Sequence, residues 1–185
     1  AASAAPGGVA QVLVRESTIL MAMGVAVPRD VERVAPGDSI IRAAALSHGS
    51  GLYVLPDVLA GAVNVIPVSH GLDAGEILSM LPAWRNVRMF AAPTMVVRLL
   101  ASPAARAVPN LKTITYGGAP MYVADAVRAI ELFGPRLYQL FGQGESPMTI
   151  TGLPQSCHTE KDHPRFLERL ASCGFARTGV EVRIV

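Results

Sequence analysis

The chain's 185 residues are 51% apolar and 16% charged, with a net charge of +2. That length carries one domain with a sizeable core, and the apolar share exceeds what a free-standing soluble domain needs, as if some surfaces face other parts of a protein. Lysine occurs only at Lys112 and Lys161, with no basic patch and few aromatics, so nucleic acid is excluded as a partner. The longest apolar run, over residues 54–68, is broken by Asp57 and Asn64, which excludes a membrane span.

Residues 1–8 are small and flexible, a tail by composition. Val12, Ile19, Leu20 and Met23 have helical spacing, which predicts an amphipathic helix over 11–24. Two prolines and a Pro-Gly turn make 28–38 a loop. From Ser39 strands alternate with helices: strands at 40–46, 62–68, 87–90, 111–116 and 136–140, helices at 51–60, 74–84, from Pro93 onward and at 122–133. The strands read as buried on both faces, which a mostly parallel β-sheet with flanking helices requires. After Thr151 the alternation fails, and 152–174 reads as an excursion with one short helix at 165–171. Residues 180–185 alternate as a strand of a second sheet. The expected organisation is therefore an N-terminal tail, helix and loop (1–38), an α/β subdomain (39–151), and an excursion leading into a truncated β subdomain (152–185). Opening on Ala1 and stopping inside an apolar strand pattern, the chain reads as cut at both ends. Cys157 and Cys173 have no metal-like spacing and follow no secretory signal, so reduced thiols in a cytoplasmic protein are expected.

Four stretches carry candidate chemistry, each at the end of a predicted strand. Leu46-Ser47-His48-Gly49-Ser50-Gly51 is a tight turn of small residues from which His48 projects. Met89-Phe90-Ala91-Ala92-Pro93-Thr94-Met95 starts a helix, with Thr94 and an adaptable Met95 free to face a crevice. Tyr116-Gly117-Gly118-Ala119-Pro120 offers almost no side chain, so a flat ring can lie against its backbone. Phe141-Gly142-Gln143-Gly144-Glu145, followed by a Ser/Thr-rich run to Thr151, sets one carboxylate among amides and hydroxyls. Glycines after a strand admit a ligand close to the backbone, and a lone carboxylate can share Mg²⁺ with a phosphate. Plain structural readings stand beside these: a hydrogen-bonded histidine, a core methionine, a Gly-Gly turn and a solvated glutamate. A serine-hydrolase elbow is excluded, because Gly144-Glu145-Ser146-Pro147-Met148 lacks the closing glycine.

Taken in order, these motifs resemble those of the adenylate-forming enzymes, in the acyl-CoA synthetase and fatty-acid–CoA ligase branch. Phe141 to Glu145 looks like the family's Tyr-Gly-x-Thr-Glu core motif, Gly117 to Pro120 like its Gly-Gly-Ala-Pro, and the His48 and Pro93 stretches like its Pro-Leu-x-His-x-x-Gly and Gly-x-Pro-Thr segments. Residues 177–185 resemble the stretch before the family's next motifs. The resemblance covers residues 36–185, the middle of a full-length enzyme, in a chain too short for a typical two-domain ligase. It implies ATP (or AMP), Mg²⁺, coenzyme A and a small carboxylic acid as ligands, with homo-oligomers open to it.

By the same resemblance Gly117, Gly118, Ala119, Pro120, Phe141, Gly142, Gln143 and Gly144 bind the nucleotide. Glu145 is the catalytic residue and metal ligand, and His48, Gly49, Met95 and Gly117 meet the acid. Amino-acid-activating relatives carry an aspartate where Gly49 stands, so a plain carboxylic acid is expected. Gly144 replaces a threonine whose hydroxyl meets phosphate, leaving Ser146 or Thr149 to compensate. The family's phosphate loop with its Lys-Gly has only Gly7-Gly8-Val9 in its place, and its catalytic lid lysine falls past Val185. This stretch alone is therefore expected to be inactive, and a non-catalytic nucleotide- or acyl-binding module is the alternative. A coding sequence that continues past Val185 into such a lid separates the two. A chance match of a purely structural α/β domain is a third reading.

Overall fold

A computed structural model describes residues 34–106, 108–144 and 146–183. The predicted helix at 11–24 and Glu145 lie outside the described residues. The alternation read from Ser39 onward is present. Strand β1 (Ser39–Ile41) leads through helices α1 (Gly49–Leu52) and α2 (Val54–Leu59) to β2 (Val63–Val65). Helix α3 (Ala74–Met80) precedes β3 (Val87–Ala91), α4 (Pro93–Leu100) precedes β4 (Leu111–Tyr116), and α5 (Val123–Phe133) precedes β5 (Leu137–Gln143). Then come β6 (Ser146–Leu153), α6 (Gln155–Thr159), α7 (Phe166–Ala171) and β7 (Phe175–Ala176).

Local chemistry sets most boundaries. Asp73 caps α3 by accepting from the Glu76 amide at 2.8 Å. Pro93 supplies the first turn of α4, and Gly134, at φ 65°, ends α5. The predicted strand at 40–46 stops at Ile41, because the alanine run at 43–45 has little preference for extended backbone. The predicted helix at 51–60 divides at Tyr53, where Pro56 cannot donate to the turn before it. Likewise Pro82 ends α3 in a 3₁₀ turn, Leu81–Ala83.

All seven strands share one sheet, in the order β2-β1-β3-β4-β5-β6-β7. It is parallel from β2 to β5, while β6 and β7 add antiparallel. Two expectations change here. Residues 146–151, read as the closing loop of the core motif, and 152–153, read as the start of the excursion, form one strand that pairs Phe141 with Thr151 and Gln143 with Ser146. The second-sheet strand expected at 180–185 is absent over 180–183, which form no strand; residues 184 and 185 lie outside the described residues. A glycine at 152 permits the pairing of β5 and β6, since a Cβ there would lie 2.0 Å from the Tyr138 hydroxyl.

The sheet buries a different cluster on each face. The larger one gathers Ile41, Met89, Ile114, Tyr116 and Leu137 under α3, α4 and α5, with Ile77, Leu99 and Phe133 fully buried. The smaller one joins Phe90, Tyr138, Leu140 and Met148, against which Leu52 and Tyr53 pack. Among the described residues no helix is long and apolar enough to cross a membrane.

Candidate functional site

Parallel neighbours end on the same side of a sheet, and β1, β3, β4 and β5 are adjacent and parallel. Their carboxyl ends are aligned as well: Ala91 pairs with Tyr116, and Tyr116 with Gln139. The turn carrying His48, the start of α4, the Gly117–Pro120 loop and the Phe141–Gly144 stretch therefore share one edge. In open α/β sheets that edge is where ligands bind.

Gly117 sits tightly between its neighbours. Its amide donates to the Ala91 carbonyl at 3.3 Å, and a Cβ would lie 2.5 Å from the Leu140 carbonyl oxygen. Gly118 has open space around it but a φ of 85°, a left-handed conformation that favours glycine. At Gly142 a Cβ would meet the Met148 amide nitrogen at 2.1 Å, so backbone lies directly against backbone. Between these loops opens a cavity of about 320 Å³, lined by Gly118, Ala119 and Pro120 on one side, Gln139, Phe141 and Gly142 on another, and Leu170 to Cys173 at the end of α7. The Gln139 Oε1 itself is inaccessible and has no hydrogen-bond partner. A cavity with an aromatic wall facing a loop of almost no side chain suits a flat ring.

Behind the cavity, Tyr116 ends β4 with its hydroxyl 3.0 Å from His158 Nε2. His158 Nδ1 lies 2.9 Å from the Pro154 carbonyl. A carbonyl only accepts, so Nδ1 carries the proton and Nε2 accepts from Tyr116. Burial pushes His158 down to about 4 and Tyr116 upward, so both are neutral and lock β4 to α6.

His48 is exposed just before α1. Gly49 packs on the smaller cluster, where a Cβ would approach Met148 Cε at 2.2 Å and the Phe90 ring at 2.8 Å. Met95 joins the larger cluster instead, and its sulfur lies 3.4 Å from the Ala92 amide. Gln143 and Gly144 are exposed where β5 gives way to β6. Ser146 and Thr149 bond each other at 2.6 Å. The donors around that junction are all oxygen or amide, the hard donor type that Mg²⁺ takes, and among the described residues no cluster of His, Cys, Asp or Glu offers an all-protein metal cage.

The sequence reading passed over Gln139, His158 and the 170–173 wall. Gln139 lies in the predicted strand at 136–140, and its position two residues before Phe141, on the same face, is the signal for it.

A family model described as AMP-binding enzyme matches residues 12–185. Over 141 residues the chain is 32% identical to the medium/long-chain-fatty-acid–CoA ligase FadD8 of Mycobacterium tuberculosis, covering 73% of this chain and 23% of that protein. Among solved structures it is similar to the amide bond synthetase McbA from Marinactinospora thermotolerans, at 23% identity and a TM-score of 0.72, over 89% of this chain and 32% of that one. It is also similar to the O-succinylbenzoate coenzyme A synthetase MenE from Bacillus subtilis in complex with AMP, at 19% identity and a TM-score of 0.66, over 88% and 31%. The chain thus spans between 23% and 32% of these relatives' lengths.

Proposed function

This chain belongs to the AMP-binding enzyme family, and from that premise we propose that it is the central part of an ATP-dependent acyl-CoA synthetase acting on a carboxylic acid of the fatty-acid class. The observation that carries the reading is the alignment of the four motif loops at the carboxyl ends of adjacent parallel strands. In the first half-reaction a carboxylate oxygen of the acid bonds to the ATP α-phosphorus as the bond to pyrophosphate breaks. In the second, the coenzyme A sulfur bonds to the acyl carbon as AMP leaves and the thiol proton is released.

The adenine ring lies against the loop of Gly117, Gly118, Ala119 and Pro120, with Phe141 over its other face; all but Gly117 line the cavity. Gly142, Gln143 and Gly144 hold backbone near the phosphates. Glu145 would hold Mg²⁺, which when bound would supply charge neutralisation for the departing pyrophosphate. His48, Gly49 and Met95 meet the acid, with Gly117 between acid and nucleotide. Gly49 carries no charge, which favours a plain acid over an amino acid, and the fatty-acid–CoA ligase activity in FadD8's name supports that class. Positioning and charge neutralisation account for the chemistry on these residues.

Calorimetric titration of the full chain with a non-hydrolysable acyl-adenylate analogue and Mg²⁺ tests this. The parent binds, and Phe141→Ala and Glu145→Ala each weaken binding by about tenfold or more, the scale of one stacking or charge-assisted contact. Equal affinity in all three rejects the assignment. Binding without acid-dependent pyrophosphate release by the full-length protein that carries this stretch, over a panel of acids, favours the non-catalytic module.

A further inference from the structure

One buried charged residue near this edge has no part in the reaction just described. Arg42 follows β1 directly and is 3% exposed. Its Nη1 donates to the Ser50 carbonyl at 3.0 Å, its Nη2 to Asp57 Oδ2 at 2.6 Å, and its Nε to Asn64 Oδ1 at 2.8 Å. One guanidinium thus ties β1 to α1, α2 and β2. Asp57 is 3% exposed, and burial pushes its carboxyl upward against the pull of Arg42. Burial likewise lowers Arg42 against the pull of Asp57, so each keeps its charge through the other.

The Ser50 bond reaches the turn that carries His48. Besides that bond the turn is held by the packing of Gly49 and Leu52 on the smaller cluster, which fixes no direction in the way a hydrogen bond does. Helix α1 has four residues, its N-cap is His48, and no side chain caps it. The His48 amide donates to the Ala45 carbonyl at 3.1 Å and the Gly51 amide to the His48 carbonyl at 3.0 Å, both within the turn itself. Apolar side chains of matching size can replace a buried ion pair with little loss of stability, so packing alone does not require charge here. What a planar guanidinium adds is a fixed geometry among several acceptors at once.

We propose that Arg42 is a positioning residue for the acid half of the site, holding the His48 turn in register through Ser50 while Asp57 and Asn64 hold Arg42. The proposal rests on the acyl-CoA synthetase reading. Lysine at 42 keeps the charge beside Asp57 but cannot span all three acceptors. Arg42→Met with Asp57→Leu removes both charges together and keeps the site packed.

The test measures acid-dependent pyrophosphate release by the full-length enzyme that carries this stretch, with thermal unfolding alongside. Arg42→Lys raises the KM for the acid about tenfold and leaves the KM for ATP within about threefold, the loss expected from one charge-assisted hydrogen bond on one side of a site. The paired variant unfolds at about the parent's temperature yet keeps the raised acid KM. In a His48→Ala background, Arg42→Lys adds nothing further, because both changes act through the same turn. Restored acid KM in the paired variant overturns the proposal, as do parallel rises in both KM values or additive effects with His48→Ala. A full-length parent that releases no pyrophosphate with any acid overturns the underlying ligase reading, and the proposal falls with it.

Discussion

Acid should weaken this fold through one buried histidine. His158 is completely buried, donates from Nδ1 to Pro154 and accepts at Nε2 from Tyr116, so a second proton has no place to go without breaking the Tyr116 bond. Burial lowers it from an ordinary 6.5 to about 4. Between those values the unfolded chain binds a proton that the folded chain refuses. Stability is therefore fully present above about pH 6.5, falls as pH drops, and levels off below about pH 4. At about 1.4 kcal/mol per pH unit the loss comes to about 3 kcal/mol, a large part of the roughly 5–15 kcal/mol that holds a typical domain together.

Other groups titrate in the same range. Asp38 sits below its ordinary value because hydrogen bonds from Ala35, Asn86 and Lys112 outweigh its burial, so it adds a loss of the same sign at lower pH. Asp57, raised by burial, works the other way. The measurement is accordingly a difference: urea unfolding of the full chain and of His158→Gln at steps from about pH 7 to about pH 4. The variant lacks the titrating ring, so its stability falls less steeply and the two curves converge by about 3 kcal/mol. A parent-to-variant gap that stays constant across that range refutes the reasoning.

Tyr116→Phe strands the His158 Nε2 without a donor and lowers stability at neutral pH by about 1–3 kcal/mol; in calorimetric unfolding a loss below about half a kcal/mol counts against the buried bond. Gly117→Ala and Gly118→Ala separate sterics from backbone conformation. At 117 the added carbon meets the Leu140 carbonyl, which costs about 1–3 kcal/mol. At 118 only the left-handed φ is penalised, at about 1 kcal/mol. Thermal unfolding that ranks 118 as the worse site reverses the account. Gly142→Ala drives a carbon into the Met148 backbone and is expected to disrupt the β5–β6 hairpin, seen as lost amide-exchange protection over 146–153; full protection in the variant refutes the contact.

Element type was legible wherever the signal is local. Strand β4 was read residue for residue at 111–116, the helix at 122–133 is one residue longer than α5, and Pro93 marked the start of α4. The order of the Gly-Gly-Ala-Pro and core motifs was enough to suggest the family, because it rests on residue types at fixed spacing. The closing strand was misjudged for an equally physical reason. Pro147 and Gly152 look like loop residues one at a time, and only pairing with β5 makes them strand.

By itself, then, the sequence determined the alternation of strands and helices, the glycines that leave room for a ligand, and the family those motifs resemble. All of these depend on residues close together in the chain. Tertiary structure alone decided that four separated loops end on one sheet edge, that Gln139 and the end of α7 line the cavity between them, and that Tyr116 is bonded to His158, 42 residues away. It also joined Arg42 to Ser50, Asp57 and Asn64. Burial and hydrogen bonding between distant residues follow from strand order and register. A local pattern of apolar and polar residues can state that a strand exists, and it carries no record of which neighbour that strand will find.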